Sequence, residues 1–153
     1  MNKHGFTFIE VLVVSSVIGL MGALASVMVV KGMEKSRIRQ ATVELNMIST
    51  GVLQLAWDTG KWPNRRFRTN PGSVEVWNIS KDSAGIMGSD GSYTDWRGPY
   101  YGESILDPWG NPYFFDPDFR IAGVNRIVVG SFGPNGRGRN QYDSDDIVVR
   151  LDD

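Results

Sequence analysis

The chain has no cysteine, and its single histidine, His4, stands at the very start. No disulfide framework, thiol nucleophile or cysteine-rich zinc site can be built, and no histidine is available to the rest of the chain for acid–base work. Charge of one sign is also missing: 16 basic residues are nearly balanced by 17 acidic ones, and the Lys and Arg residues form no stripe. That excludes the footprint of a nucleic-acid binder. With 153 residues, the chain has room for one ordinary domain plus one long segment.

What is present begins with an apolar run. Between Phe6 and Val30 the sequence is almost wholly apolar, and Val11 to Val30 carries no charge, the length of about 20 residues that a bilayer-spanning helix needs. A secretory signal would be shorter and would end in a small-residue cleavage site, so this segment is expected to be retained. Glu10 is the anomaly within it, because an ionised carboxylate among apolar side chains costs a few kcal/mol unless it finds a partner. Beyond Lys31 the pattern turns amphipathic. Ile38, Ala41, Leu45, Ile48, Val52 and Leu55 recur at spacings of three and four, one face of a helix, before Gly60 and Pro63 stop it. One helix from about Phe6 to Trp57 would be roughly 75–80 Å long.

The remainder reads as a small head. Lys61 to Ile105 is loop-rich, with a short helix or strand expected near Ser73 to Ile79. Strands are expected at Tyr113–Phe115, Arg126–Phe132 and Ile147–Leu151, forming an antiparallel sheet laid on the stripe that begins at Ile38. In Asp107-Pro108-Trp109-Gly110-Asn111-Pro112-Tyr113, Pro108 fixes φ, Gly110 permits a left-handed turn and Trp109 offers an apolar anchor to the core. Gly133 to Asp145 is too long for an ordinary hairpin loop. Its Gly-Pro-Asn-Gly-Arg start and Asp143-Ser144-Asp145-Asp146 end supply oxygen ligands suited to a hard cation, without the spacing of an EF-hand. An acidic loop with no metal is the alternative reading. Asp116 with Asp118, or Asp145 with Asp146, would be the paired carboxylates of a membrane-tethered enzyme. Adjacent residues such as Asp145 and Asp146 would point to opposite faces of a strand, and no histidine or cysteine stands downstream, so no catalytic residue is assigned.

The junction Gly5-Phe6-Thr7-Phe8-Ile9-Glu10 resembles the prepilin peptidase site of type IV pilins and pseudopilins, and the Asp-Pro-Trp-Gly turn and terminal loop resemble those of major pseudopilins of type II secretion. The resemblance implies an α+β fold, the pilin "lollipop": a long N-terminal helix, membrane-spanning then amphipathic, packed on a small antiparallel sheet. Its implied divisions are a leader at 1–5, a transmembrane and assembly helix at 6–30, an amphipathic continuation at 31–60 and a periplasmic head at 61–153. Cleavage after Gly5 and N-methylation of Phe6 are implied, with Glu10 pairing with the N-terminal amine of an adjacent subunit. Calcium is the implied cofactor, held by the side chains of Asn135, Asp145 and Asp146 and the backbone carbonyls of Phe132 and Arg137. Asn135 stands where the family has an aspartate, which predicts weaker binding and leaves Asp143 to replace the lost charge.

Implied partners are further copies of the chain in a helical filament, the prepilin peptidase, minor pseudopilins, the inner-membrane assembly platform, the secretin and the membrane itself, with no nucleic acid. The implied function is that of a pseudopilus subunit driving protein export across the outer membrane. The implied location is single-pass in a bacterial inner membrane with the head in the periplasm. Lys31, Lys35, Arg37 and Arg39 follow the span while only Lys3 precedes it, a charge bias against that orientation that a translocating domain overrides. Val27 stands where many pilins have a helix-bending proline. The alternative is a type IV pilin for adhesion, motility or DNA uptake, many of which close their C-terminal region with a disulfide that this chain cannot form.

Overall fold

The computed structural model describes residue 5 and residues 7–102, 106–138 and 143–152, the side chains of 23–27 excepted. The expected leader residues Met1–His4 and the methylation position Phe6 lie outside the described residues. Two compact units are present, Met1–Ser36 and Arg37–Asp153. Helix α1 covers Phe8–Thr59.

In the first unit the helix begins with a reciprocal cap. The Thr7 amide and hydroxyl both donate to Glu10 Oε2 at 2.8 Å, and the Glu10 amide donates back to Thr7 Oγ1 at 3.3 Å. Two orphan donors of the first turn are thereby satisfied. The described apolar side chains that follow, as far as Val30, are exposed, Phe8 by 81% and Ile18 by 64%. The expectation of a membrane-spanning half is corrected: among the described residues, no helix is long and apolar enough to cross a membrane. The run is diluted by Ser15, Ser16, Gly19 and Gly22, closed by Lys31, Glu34 and Lys35, and headed by the Glu10 carboxylate. No span is therefore assigned to this half of the helix. The expected single-pass placement in an inner membrane, with the head in the periplasm, falls with it.

The second unit contains the rest of α1, which ends where Gly60 takes φ +69°, a left-handed conformation that costs a glycine nothing. Ala41, Leu45, Ile48, Val52 and Leu55 are completely buried, whereas Ile38, the first member of the predicted stripe, is exposed. The buried face packs with Trp62, Ile79, Ile86, Tyr93, Tyr113, Phe115, Val129 and Leu151 in one core. Tyr113 also reaches the helix through its hydroxyl, which donates to Glu44 Oε2 at 2.6 Å. Gly51 lets the loop at Tyr100 come close, since a Cβ there would stand 2.9 Å from the Tyr100 carbonyl oxygen.

The sheet is an antiparallel meander of β1 (Phe114–Ile121), β2 (Val124–Ser131) and β3 (Ile147–Arg150), in that spatial order. Period-two alternation puts Phe115 and Val129 on the helix side. Phe114, Phe119 and Val128 form a second cluster with Phe132, flanked by Trp77, Ile121 and Val148. Both faces are therefore covered. β1 is longer than the three residues expected because the Asp-Pro-Asp stretch is taken into it, with a register irregularity between Asp116 and Phe119 that accommodates a proline lacking an N–H. Near Ser73–Ile79 the sequence suggested an element. Only an isolated bridge from Val76 to Phe115 is present there, among the described residues.

Candidate functional site

The long loop after β2 starts from a turn that the sequence describes only in part. Asp107, 4% exposed, accepts from the amides of Trp109 (3.1 Å) and Asn111 (2.7 Å) through Oδ1, while its Oδ2 accepts the Ser131 hydroxyl at 2.6 Å. The Ser131 hydroxyl in turn accepts the Gly133 amide at 3.0 Å. Trp109, the expected anchor, is only half-buried and belongs to neither core cluster. A small carboxylate ties this turn to the end of β2. The signal was available, because aspartate commonly bonds the backbone two residues ahead of itself.

From Ser131 the chain enters the loop. Phe132 stacks on Phe114 with ring centroids 4.5 Å apart, which anchors the entry. Gly133 adopts φ +62°, and a Cβ on it would meet the Asp145 carbonyl oxygen at 2.3 Å. The two ends of the loop thus touch backbone to backbone. Residues 139–142 of the loop lie outside the described residues.

Between these ends Asn135 is the hub. Its side-chain nitrogen donates to Asp143 Oδ2 at 2.8 Å and Asp145 Oδ1 at 2.6 Å, its own amide donates to Asp145 Oδ2 at 3.2 Å, and its Oδ1 accepts the Arg137 amide at 2.6 Å. Asp146 Oδ2 accepts the Asp143 amide at 3.0 Å. Asp146 Oδ1 is buried without a hydrogen-bond partner, and burial pushes the Asp146 carboxyl up to about 6. The hydrogen bond between Asp143 and Asp145 lowers the Asp143 carboxyl and raises that of Asp145. The sequence-predicted ligands Asn135, Asp145 and Asp146 and the anticipated substitute Asp143 therefore share one bonded network. The donors are oxygens of the hard type, and an orphaned buried carboxylate oxygen has the chemistry a divalent cation would satisfy.

A second group of carboxylates was not anticipated as a group. Oxygens of Glu75, Asp116 and Asp118 lie within 4.8 Å of one another, a convergence that the three aspartates of the loop do not show. The irregular part of β1 and the bridge at Val76 bring them together. Burial raises the Asp118 carboxyl, and the hydrogen bond and charge of Asp116 and the charge of Glu75 raise it further. A raised folded-state pKa contributes stability while the group is protonated, below the ordinary carboxylate range, and that contribution is lost as pH rises through the folded value. Asp118→Asn is accordingly expected to unfold at a higher temperature than the parent near pH 7 and at the same temperature near pH 3.5. A difference that persists in acid would mean that something other than charge is responsible.

Near the helix start, Glu10 is exposed and its carboxyl is lowered, first by the Thr7 amide and then by the Thr7 hydroxyl. Gly5 is exposed. The Thr7–Glu10 cap was missed, although Thr followed three residues later by Glu is the standard signature of one.

Helix, buried stripe, meander and long loop together define a pilin-like structural subunit. The comparisons with known proteins specify which kind. Residues 1–26 match the family described as "Prokaryotic N-terminal methylation motif", and residues 28–150 match "Type II secretion system (T2SS), protein G". The chain is 30% identical over 135 residues to a type II secretion system core protein G from Aeromonas hydrophila, covering 88% of this chain and 87% of that one. It is 27% identical over 149 residues to the protein of the same description from Xanthomonas campestris pv. campestris, covering 94% and 88%. No solved structure matches. The chain belongs to the type II secretion system protein G family. It is a structural pseudopilin of a secretion system, not an enzyme, and the alternative of a type IV pilin is set aside.

Proposed function

We propose that the chain is processed after Gly5, methylated at Phe6, and assembled with further copies of itself into the helical filament that drives protein export across the outer membrane. The observation that carries this reading is the set of uncovered apolar side chains of the first unit, Phe8 to Met21 and Met28 to Val30, headed by an exposed carboxylate. Apolar surface of that extent calls for a partner, and the secretion family supports a second copy. Glu10 pairs with the amine that cleavage creates on a neighbour, exchanging its Thr7 contacts for a charged partner. The prepilin peptidase, minor pseudopilins, the assembly platform and the secretin are the matching partners.

In the second unit, calcium is held by Asn135, Asp145 and Asp146 with the Phe132 and Arg137 carbonyls, and Asp143 adds charge. The cation there closes the loop and leaves export chemistry to other components.

The test is filament formation and exoprotein export by Glu10→Ala beside Thr7→Ala. The first removes the carboxylate, and the second removes only the cap. Loss of filaments and export in the first, with both retained in the second, is expected. Normal filaments from Glu10→Ala would sink the pairing role, and normal export by cells lacking the chain would sink the function.

A further inference from the structure

Asn135 places a donor, not an acceptor, at the point where two loop carboxylates meet. Its side-chain nitrogen is 2.8 Å from Asp143 Oδ2 and 2.6 Å from Asp145 Oδ1. The orientation of the amide is set from the other side, because the Arg137 amide donates to Asn135 Oδ1 at 2.6 Å. Turned over, the amide would set its NH2 against the Arg137 N–H and its oxygen against two carboxylates. The backbone amide of Asn135 adds a further bond to Asp145 Oδ2 at 3.2 Å. Two carboxylates that converge need a cation, a proton or a neutral donor between them. The NH2 group supplies the last.

We infer that Asn135 is a built-in substitute for the cation, holding the Gly133–Asp146 loop closed when no metal is bound. This rests on the calcium reading only for where the metal goes. The closed metal-free loop follows from the hydrogen bonds themselves. For Asn135 to serve as a ligand its oxygen must face the metal, so the amide has to turn over and release its bonds to Asp143, Asp145 and Arg137. Metal binding is therefore opposed in this chain by contacts that an aspartate could not make. An aspartate at 135 would instead bring another negative charge into contact with Asp143 and Asp145, making closure depend on a cation.

The experiment compares the full chain in detergent with Asn135→Asp, and with the exchange Asn135→Asp/Asp143→Asn, which restores one amide among the carboxylates. Thermal unfolding is followed near pH 8 in excess chelator and in millimolar calcium, with calcium affinity measured by titration calorimetry. In chelator, Asn135→Asp is expected to unfold at least about 5 °C below the parent, and the exchange variant to recover most of that loss. Calcium is expected to restore Asn135→Asp, with an affinity at least roughly tenfold above the parent's because one ligand has gained a charge.

Parental unfolding of Asn135→Asp in chelator would overturn the inference, whatever calcium does to the parent. If the parent shows no response to calcium while Asn135→Asp loses stability in chelator and regains it in calcium, the inference stands and calcium binding by the natural chain falls. Should Asn135→Asp fail to fold under any condition, the exchange variant decides. Parental stability in chelator supports the amide as the closing element, and failure of that variant too overturns it.

Discussion

Gly133→Ala is expected to lower the stability of the second unit by about 3 kcal/mol. Two costs combine: roughly 1–2 kcal/mol for a side chain in the left-handed region and about 1–3 kcal/mol for forcing atoms into packed space. The positive φ of 62° requires the first, and the Asp145 carbonyl oxygen, 2.3 Å from the new Cβ, requires the second. That oxygen belongs to the backbone, so no side-chain rotation can make room. Gly136→Ala is the proper control. It has the same φ, but its Cβ would meet the tip of the Asn111 side chain at 3.0 Å, which can move. Denaturant unfolding of the two variants, with unchanged slopes, should separate them by at least about 1 kcal/mol. Equal losses would mean that the loop ends can part without cost.

The second large effect is expected at Asp107. Alanine there leaves the amides of Trp109 and Asn111 and the hydroxyl of Ser131 without their acceptor. Buried donors left unsatisfied cost about 1–3 kcal/mol each, reduced where water can enter. A total loss of about 2–4 kcal/mol is expected from Asp107→Ala. Asp107→Asn, which keeps one acceptor oxygen and can present its NH2 to the Ser131 oxygen, should lose only about 1 kcal/mol. If alanine proves as mild as asparagine, the turn is held by Pro108 and Gly110 and not by the carboxylate.

The features legible from sequence were those with a strong local code. The buried stripe from Ala41 to Leu55, the β2 and β3 strands and the oxygen-rich loop all follow from periodicity or from turn composition. Ile38 continues the same spacing yet is exposed, because spacing says which side of the helix a residue takes and nothing about where the core ends. β1 was cut short at Phe115 since Asp-Pro-Asp discourages a strand, and only the pairing with β2 shows that an irregularity absorbs it. The grouping of Glu75 with Asp116 and Asp118 joins positions far apart in the chain and was invisible for that reason. Trp109 joins neither core cluster. Its neighbour Asp107 forms the knot because a carboxylate can accept several hydrogen bonds at once. The apolar run was read as a span, whereas among the described residues no helix is long and apolar enough to cross a membrane.

The irregularity in β1 also bears on how many such heads can crowd together. β1 is an outer strand of the meander, and an outer strand offers unpaired amides and carbonyls to any strand that approaches. Here that edge carries Pro117, which has no amide to offer, a break in register beside it and a bridge from Val76 over Phe115. The opposite edge, β3, is only four residues long. In the filament proposed above, copies could thus lie side by side without their sheets fusing into one.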